Sequence, residues 1–102
     1  MIKLAKLLIG KGVDPNIQNK DGKTALMIAI EEGQTEFSEL LIENTTDLNV
    51  QNKKEETALI MAIKNNNTKL SKLLIEKGVD SNLQDKDGKI ALMIAIEEGQ
   101  TE

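Results

Sequence analysis

The stretch Thr24-Ala25-Leu26-Met27-Ile28-Ala29 has two further copies in the chain. Its opening tripeptide returns as Thr57-Ala58-Leu59 and then as Ile90-Ala91-Leu92, at a constant 33-residue step. A fixed interval of this length is the sequence mark of proteins built from stacked structural repeats. The chain is therefore expected to repeat one structural unit at this interval.

Other positions keep the same interval, so the repetition covers the whole chain. The pair Leu40-Leu41 matches Leu7-Leu8 and Leu73-Leu74. A longer interval also occurs, because residues 84–102 repeat residues 18–36 with changes at two positions only. Those changes are Asn19 to Asp85 and Thr24 to Ile90. The longer interval indicates that a block of two units was duplicated.

The first of two helices predicted in each unit runs, in the first complete copy, from about Thr24 to Glu32. Its apolar residues lie nearly all round the helix, a pattern typical of a helix packed between neighbours. The other copies cover residues 57–65 and 90–98. The residues that follow the three copies are Gly33, Asn66 and Gly99. Gly and Asn tolerate the left-handed conformation that closes a helix, so these positions are predicted helix ends.

A second, amphipathic helix follows in each unit. In the first complete unit, its predicted apolar stripe consists of Phe37, Leu40 and Leu41. The equivalent stripes in the other copies are Leu4, Leu7 and Leu8, and Leu70, Leu73 and Leu74. The side chains expected to face outward are Ser38, Glu39 and Glu43. Gly12 and Gly78 are predicted to end two of these helices. Projecting turns with Asp-Gly or Pro-Asn chemistry then cover residues 13–23 and 79–89.

Two helices and a projecting turn in each 33-residue unit closely resemble the ankyrin repeat, in which a Thr-Pro-Leu-His-x-Ala motif opens the first helix. The resemblance also covers Asp21-Gly22 in the turn, Glu-Glu-Gly33 at the helix end and Gly-Val-Asp14 after the second helix. It implies an all-α solenoid of stacked antiparallel helix pairs. The alternative, a tetratricopeptide-type repeat, has a period of about 34 and lacks the Asp-Gly turn.

The repeat register divides the single domain 1–102 into four parts. They are the second half of a unit (1–17), two complete units (18–50 and 51–83) and the first half of a unit (84–102).

Some residues depart from the family pattern. Ala25, Ala58 and Ala91 stand in place of Pro, and Met27, Ile60 and Met93 stand in place of His, so looser hairpins are expected. Glu55 occupies the position of Gly22 and Gly88. If that turn requires positive φ, a residue other than Gly costs about 1 kcal/mol or more there, and a reshaped middle turn is expected. Ile90 replaces a Thr that is a predicted N-cap, so its helix should lack that cap.

Composition narrows the classes of function. A net charge of −4 disfavours nucleic acid, whose binding depends on Lys and Arg at phosphates. No stretch has the roughly 18 apolar residues that a membrane helix requires. The absence of Cys excludes disulfides and thiol chemistry and favours an intracellular, cytoplasmic location.

Catalysis is not expected. The chain has neither His nor Cys, so Ser-His and Cys-His nucleophiles are excluded. Paired carboxylates such as Glu31-Glu32 are interpreted as solvated helix ends. The segment Asp85-Lys-Asp87-Gly88 resembles part of a calcium loop, but Leu83 stands where that loop requires an acid and Ile94 stands where it requires Glu. No cofactor or metal is predicted.

In ankyrin-like proteins, turn tips and the exposed sides of the first helices form a concave surface that holds a protein partner. Transferred by position, the resemblance implies tip residues Lys20, Asp21, Lys23, Lys53, Lys54, Glu56, Lys86, Asp87 and Lys89. On the helix side it implies Glu31, Glu32, Lys64, Asn65, Glu97 and Glu98. The alternating charges would suit a partner that carries both signs. Simple solubility is the alternative explanation for any one of them.

A second hypothesis concerns self-association. Both ends of the sequence are half-units without a polar cap, so the last helix of one copy could stack against the first helix of the next. A contact of this kind does not close, and it would propagate into a structural assembly. Truncation from a longer array is the preferred interpretation, because the last helix pair is interrupted without a terminating signal.

Overall fold

The computed structural model describes residues 1–99, and that part of the chain contains six α-helices joined by turns, with no strand. In chain order they are α1 (Ile2–Gly10), α2 (Ala25–Glu31), α3 (Thr35–Asn44), α4 (Ala58–Lys64), α5 (Thr68–Glu76) and α6 (Ala91–Glu97). The first helices of the units are α2, α4 and α6, and the second helices are α1, α3 and α5.

The helices form two layers. Within a unit, α2 packs against α3 and α4 packs against α5. Between units, α2 packs on α4 and α4 on α6 in one layer, while α1 packs on α3 and α3 on α5 in the other. The architecture is the all-α solenoid of helix pairs that the repeat interval predicts.

Side-chain caps explain where two of the first helices begin. The Thr24 hydroxyl accepts a hydrogen bond from the Met27 amide at 3.3 Å, and the Thr57 hydroxyl accepts one from the Ile60 amide at 3.2 Å. Both threonines are N-caps, so each helix begins one residue later than predicted. Ile90 occupies the same position with no side-chain cap, which confirms the predicted loss.

The predicted helix ends are confirmed by their backbone angles. Gly33 and Gly99 have φ of 70° and 71°, and Asn66 has φ of 56°. All three lie in the left-handed region, where Gly has no steric cost and Asn a small one. The first helices are therefore closed at the same position in each unit.

The core is centred on α4. All six residues from Ala58 to Ile63 are buried, with no more than 5% of any of them exposed. This helix has α2 on one side and α6 on the other, as expected for a helix that is apolar nearly all round. Met27 and Ile60, at the position where the family has His, are each 1% exposed. The looser hairpins expected from the missing His remain a prediction.

Ser38 was expected to face outward, and that prediction is wrong. Its side chain is fully buried, and its hydroxyl donates to the Gln34 carbonyl at 2.9 Å. Ser71, one unit later, is also buried and donates to the Asn67 carbonyl at 2.9 Å. A serine that satisfies its own hydroxyl within the helix can face a tightly packed neighbour, because its small side chain permits close approach.

The prediction of a reshaped middle turn is also wrong. Glu55 adopts φ of 60°, close to the 74° of Gly22 and the 78° of Gly88. The same backbone hydrogen bond closes the middle and first turns, from the Asn52 amide to the Glu56 carbonyl (3.0 Å) and from the Asn19 amide to the Lys23 carbonyl (2.9 Å). The turn therefore keeps its shape, and the unfavourable backbone angle falls on Glu55 at a cost of about 1–2 kcal/mol.

Candidate protein-binding surface

One side chain at the base of each turn fixes the shape of the tip. The Asn19 side-chain oxygen accepts hydrogen bonds from the amides of Asp21 and Lys23, both at 2.9 Å. Asn52 and Asp85 repeat this double contact in the next two turns, also at 2.9 Å. Because each oxygen satisfies two amides that the turn leaves without backbone partners, the three tips share one conformation.

Backbone hydrogen bonds also join successive tips. The Lys53 amide donates to the Asp21 carbonyl at 3.1 Å, and the Lys86 amide donates to the Lys54 carbonyl at 3.0 Å. These bonds fix each tip relative to the one before it. The tips therefore form a row of defined spacing instead of three independent loops.

A ladder of glutamines runs beneath the row of tips. Gln18 donates to the Gly22 carbonyl in its own turn (2.7 Å) and to the Gln51 carbonyl in the next unit (2.9 Å). Gln51 makes the same two kinds of contact, with Glu55 at 2.8 Å and with Gln84 at 3.0 Å. The recurrence of Gln at the repeat interval is visible in the sequence, but sequence reasoning assigned it no role.

Six of the predicted site residues form three ion pairs, one per unit, between the base of a turn and the end of its first helix. The nitrogen–oxygen distances are 2.9 Å for Lys23–Glu31, 2.6 Å for Lys64–Glu56 and 3.0 Å for Lys89–Glu97. The middle pair is reversed, with its acid on the turn and its lysine on the helix. Along the stack, the sign of charge therefore alternates on both sides of the pairs.

The hydrogen bonds within these pairs shift the pKa of four of their six members. The contact with Glu31 raises the pKa of Lys23, and the contact with Glu97 raises that of Lys89. In the middle unit, the hydrogen bond to Glu56 raises the pKa of Lys64. Partial burial opposes ionisation of Glu56, but hydrogen bonds from Lys64 and Asn52 outweigh it and lower its pKa. These four groups, Lys23, Glu56, Lys64 and Lys89, are therefore charged near neutral pH.

Asp85 differs from Asn19 and Asn52 because it carries a charge. Its side chain is only 6% exposed, and burial disfavours the charged form. The hydrogen bonds that it accepts from the Lys89 and Asp87 amides outweigh burial, so its pKa lies below the ordinary value.

The helix-side predictions separate into different roles. Asn65 donates to the Ile30 carbonyl of the preceding unit at 3.0 Å, a contact that joins α2 to α4. Glu32 is exposed and borders a groove beside α1, on another part of the molecule from the tips. Glu98 is exposed at the C-cap of α6. Neither Glu32 nor Glu98 is in an ion pair within residues 1–99.

The remaining predicted residues occupy the outer ends of the turns with exposed side chains. They are Lys20, Asp21, Lys53, Lys54, Lys86 and Asp87. Within the described chain, no ion pair includes any of them. The tips therefore present four lysines and two aspartates to solvent.

Two further kinds of feature, a metal-binding cluster and a membrane-spanning helix, are absent from residues 1–99. No cluster of three or more Asp, Glu, His or Cys residues suited to a metal ion occurs among them. The longest helix in this region has 10 residues, and none has the length and apolar character needed to cross a bilayer.

Comparison with known proteins identifies the class. A family model described as ankyrin repeats, with three copies, matches residues 1–54 and 39–102. Together these matches cover the whole chain, so the chain belongs to the ankyrin-repeat family. Members of this family are in general non-enzymatic scaffolds that bind other proteins. A search among curated proteins finds no match.

Proposed function

We propose that the chain binds a protein partner through a strip made of the turn tips and the adjoining ends of the first helices. The observation that carries this proposal is the row of Lys20, Lys53 and Lys86. They occupy equivalent positions in successive units, are exposed and form no ion pair within residues 1–99. The hydrogen bonds between tips hold this row in register before a partner arrives.

A preorganised row is suited to binding because little flexibility is lost when the complex forms. Each lysine amide or its neighbouring carbonyl takes part in a tip-to-tip contact, so the backbone is fixed while the ammonium groups remain accessible. Acidic groups of a partner that repeat with the same spacing would meet several lysines together.

The charge pattern beneath the tips defines the partner further. The pairs Lys23–Glu31, Glu56–Lys64 and Lys89–Glu97 alternate in direction along the stack. The first and last pairs are partly exposed and therefore weak, so charged groups of a partner can exchange with either member. In the middle pair the Glu56 side chain is only 13% exposed, so exchange there is confined to Lys64. A partner fits the strip if it places acidic groups over the row of lysines and groups of both signs over the pairs beneath it. Complementarity of this kind controls specificity and association rate more than affinity.

The test compares two triple variants in affinity capture from a native lysate. In the tip variant, Lys20, Lys53 and Lys86 are changed to Glu. In the control variant, the same change is made at Lys3 and Lys6 on α1 and at Lys72 on α5, which are also exposed and outside any described ion pair. Both variants change the net charge by the same amount, so nonspecific charge effects are matched.

We expect a partner that the wild-type chain and the control variant retain and that the tip variant loses. The binding should also weaken as salt is raised, because the contacts are exposed charges. If every partner is retained equally by both variants, the tips are not the binding surface and the proposal is wrong.

A further inference from the structure

An apolar groove lies on the side of α2 opposite α4. Helices α1, α2 and α3 and the segment after α1 surround it, and its volume is about 430 Å³. The lining includes Leu8, Val13, Ile17 and Ile28, which are all at least 40% exposed. On the equivalent side, α4 packs against α2 and α6 packs against α4 within residues 1–99. The groove therefore has the position of a neighbouring first helix.

Helix α6 has the sequence and the exposed face that such a neighbour requires. It reads Ala-Leu-Met-Ile-Ala-Ile-Glu, identical to α2. Its Ala91 and Ile94 are buried on the α4 side, while Leu92, Met93 and Ile96 are 65%, 48% and 71% exposed. The equivalent residues in α2 are buried against the following unit.

We propose that the groove beside α1 and α2 binds α6 of a second copy of this chain. The contact would continue the interface that joins α2 to α4 and α4 to α6 within one copy. It would cover the exposed Leu92, Met93 and Ile96 of one copy and the exposed Ile28 of the next. The two faces differ, so each copy offers one of each and the association is head to tail.

Hydrogen-bonding groups are matched at the same junction. Gln18 and Gln51 each donate to their own turn and to the next unit, but Gln84 donates only to Gly88, at 3.0 Å, within the described residues. In the repeat register, the next acceptor for Gln84 is the Gln18 carbonyl of the following copy. The Asp87 carbonyl would likewise face the Lys20 amide of that copy, continuing the tip-to-tip bonds.

One charged contact also continues across the junction. Within the chain, Lys77 of one unit pairs with Glu43 of the unit before it at 3.0 Å. One step further in the register, Glu76 corresponds to Glu43, and Lys11 of the following copy corresponds to Lys77. Both Glu76 and Lys11 are exposed and form no ion pair within residues 1–99. The junction would therefore add an ion pair of a kind that the stack already contains.

Sedimentation velocity over a range of concentrations tests the inference with two variants that each disable one face. Ile96→Lys places a charge on the exposed face of α6, and Ile28→Lys places one in the groove. Because an apolar contact is replaced by a buried charge, each should weaken association about tenfold or more. The wild-type mass should rise with concentration and pass beyond the dimer. Each variant alone should remain monomeric, whereas their mixture should form dimers that do not grow.

A charge exchange checks the register. Lys11→Glu and Glu76→Lys should each weaken association, and the chain that carries both changes should recover most of the loss. A wild-type chain that remains monomeric at all concentrations would overturn the inference, as would variants that dimerise on their own. The tip variant with Lys20, Lys53 and Lys86 changed to Glu should still self-associate, so this result and the test of partner binding are separable.

Discussion

The helices α2 and α6 carry the same seven residues, but they bury opposite sides. In α2, Leu26, Met27 and Ile30 are between 1% and 5% exposed, whereas Ile28 is 40% exposed. In α6 the equivalents of the first three are the exposed ones, and Ile94, the equivalent of Ile28, is 1% exposed. The sequence of the helix does not decide which face is buried. That depends on whether the first helix packed against it belongs to the preceding or to the following unit.

The middle first helix, α4, has a packed neighbour on each side. In α4 both faces are covered, and every residue from Ala58 to Ile63 is buried. An interior unit therefore contributes two interfaces to stability, whereas α2 and α6 contribute one each. Equivalent substitutions should have different effects along the stack, and the differences can be measured.

The largest difference is expected between Ile30→Ala and Ile96→Ala, which remove the same atoms from the same local sequence. Ile30 is 2% exposed, so its truncation should lower the free energy of unfolding by about 2–5 kcal/mol. Ile96 is 71% exposed, and its truncation should change that free energy by no more than about 0.5 kcal/mol. Urea denaturation at a concentration where the chain is monomeric measures both. Equal losses would contradict the assignment of opposite buried faces.

The turns give a second comparison, between Gly22 and Gly88. Both have positive φ, so Ala at either should cost about 1–2 kcal/mol. At Gly22, an added Cβ would lie 2.9 Å from the Lys53 amide nitrogen and 3.1 Å from the Asn52 backbone. At Gly88, its nearest contact within the described residues is the Gln84 side chain at 3.8 Å. Gly22→Ala should therefore lose about 1–3 kcal/mol more than Gly88→Ala in thermal or urea unfolding. Losses of the same size would show that the first and second tips do not pack as closely as described.

The N-caps of the same two helices give a smaller effect. Thr24 and Ile90 have nearly identical backbone angles, with ψ of 170° and 167°, so Thr fits at position 90 without rearrangement. Thr24→Ala should lower stability by about 0.5–2 kcal/mol, and Ile90→Thr should raise it by an amount within that range. The melting temperature measures both. An unchanged value for Ile90→Thr would mean that the α6 terminus does not contribute to the unfolding transition.

The smallest expected effect is on the loss of stability in acid, which should differ between Asp and Asn at positions 85 and 19. The pKa of Asp85 is lowered in the folded chain, so its contribution to stability is present above its unfolded pKa of about 4 and is lost as pH falls through the folded value. Asp85→Asn keeps the acceptor oxygen and should reduce the loss of stability between neutral pH and about pH 3. Asn19→Asp should increase it if the first tip gives its carboxylate the same amide contacts. Denaturation midpoints at the two pH values measure the change, and identical pH profiles for all three chains would contradict this role.

The sequence predicted the bounds of the helices more accurately than it predicted which side chains are buried. The repeat interval located the first helices to within one residue, and Gly33 and Asn66 marked their ends correctly. These features depend on short-range backbone chemistry that recurs in every unit. Ser38 was predicted to face outward because it lies off the apolar stripe of its helix. The prediction is wrong because a serine can form a hydrogen bond within its own helix and be buried. Glu55 was expected to change its turn, but the contacts around the turn outweigh the preference of one residue.

For the candidate surface, the sequence located charged positions but not their pairing. The pairs formed by Lys23 and Lys89 join residues eight apart across the end of a turn and a helix, a distance that helical spacing rules do not cover. Their pairing required the fold. The structure shows that the tip lysines Lys20, Lys53, Lys54 and Lys86 are exposed, and their role in binding remains the proposal.

The most direct test of partner binding is an amide chemical-shift titration of the ¹⁵N-labelled chain with a protein captured as described above. If the tips bind the partner, the largest changes occur at residues 19–23, 52–56 and 85–89, at the same position in each of the three turns. Changes confined to α1, α3 and α5, with the turns unaffected, would contradict binding at the tips and would place recognition on the layer of second helices.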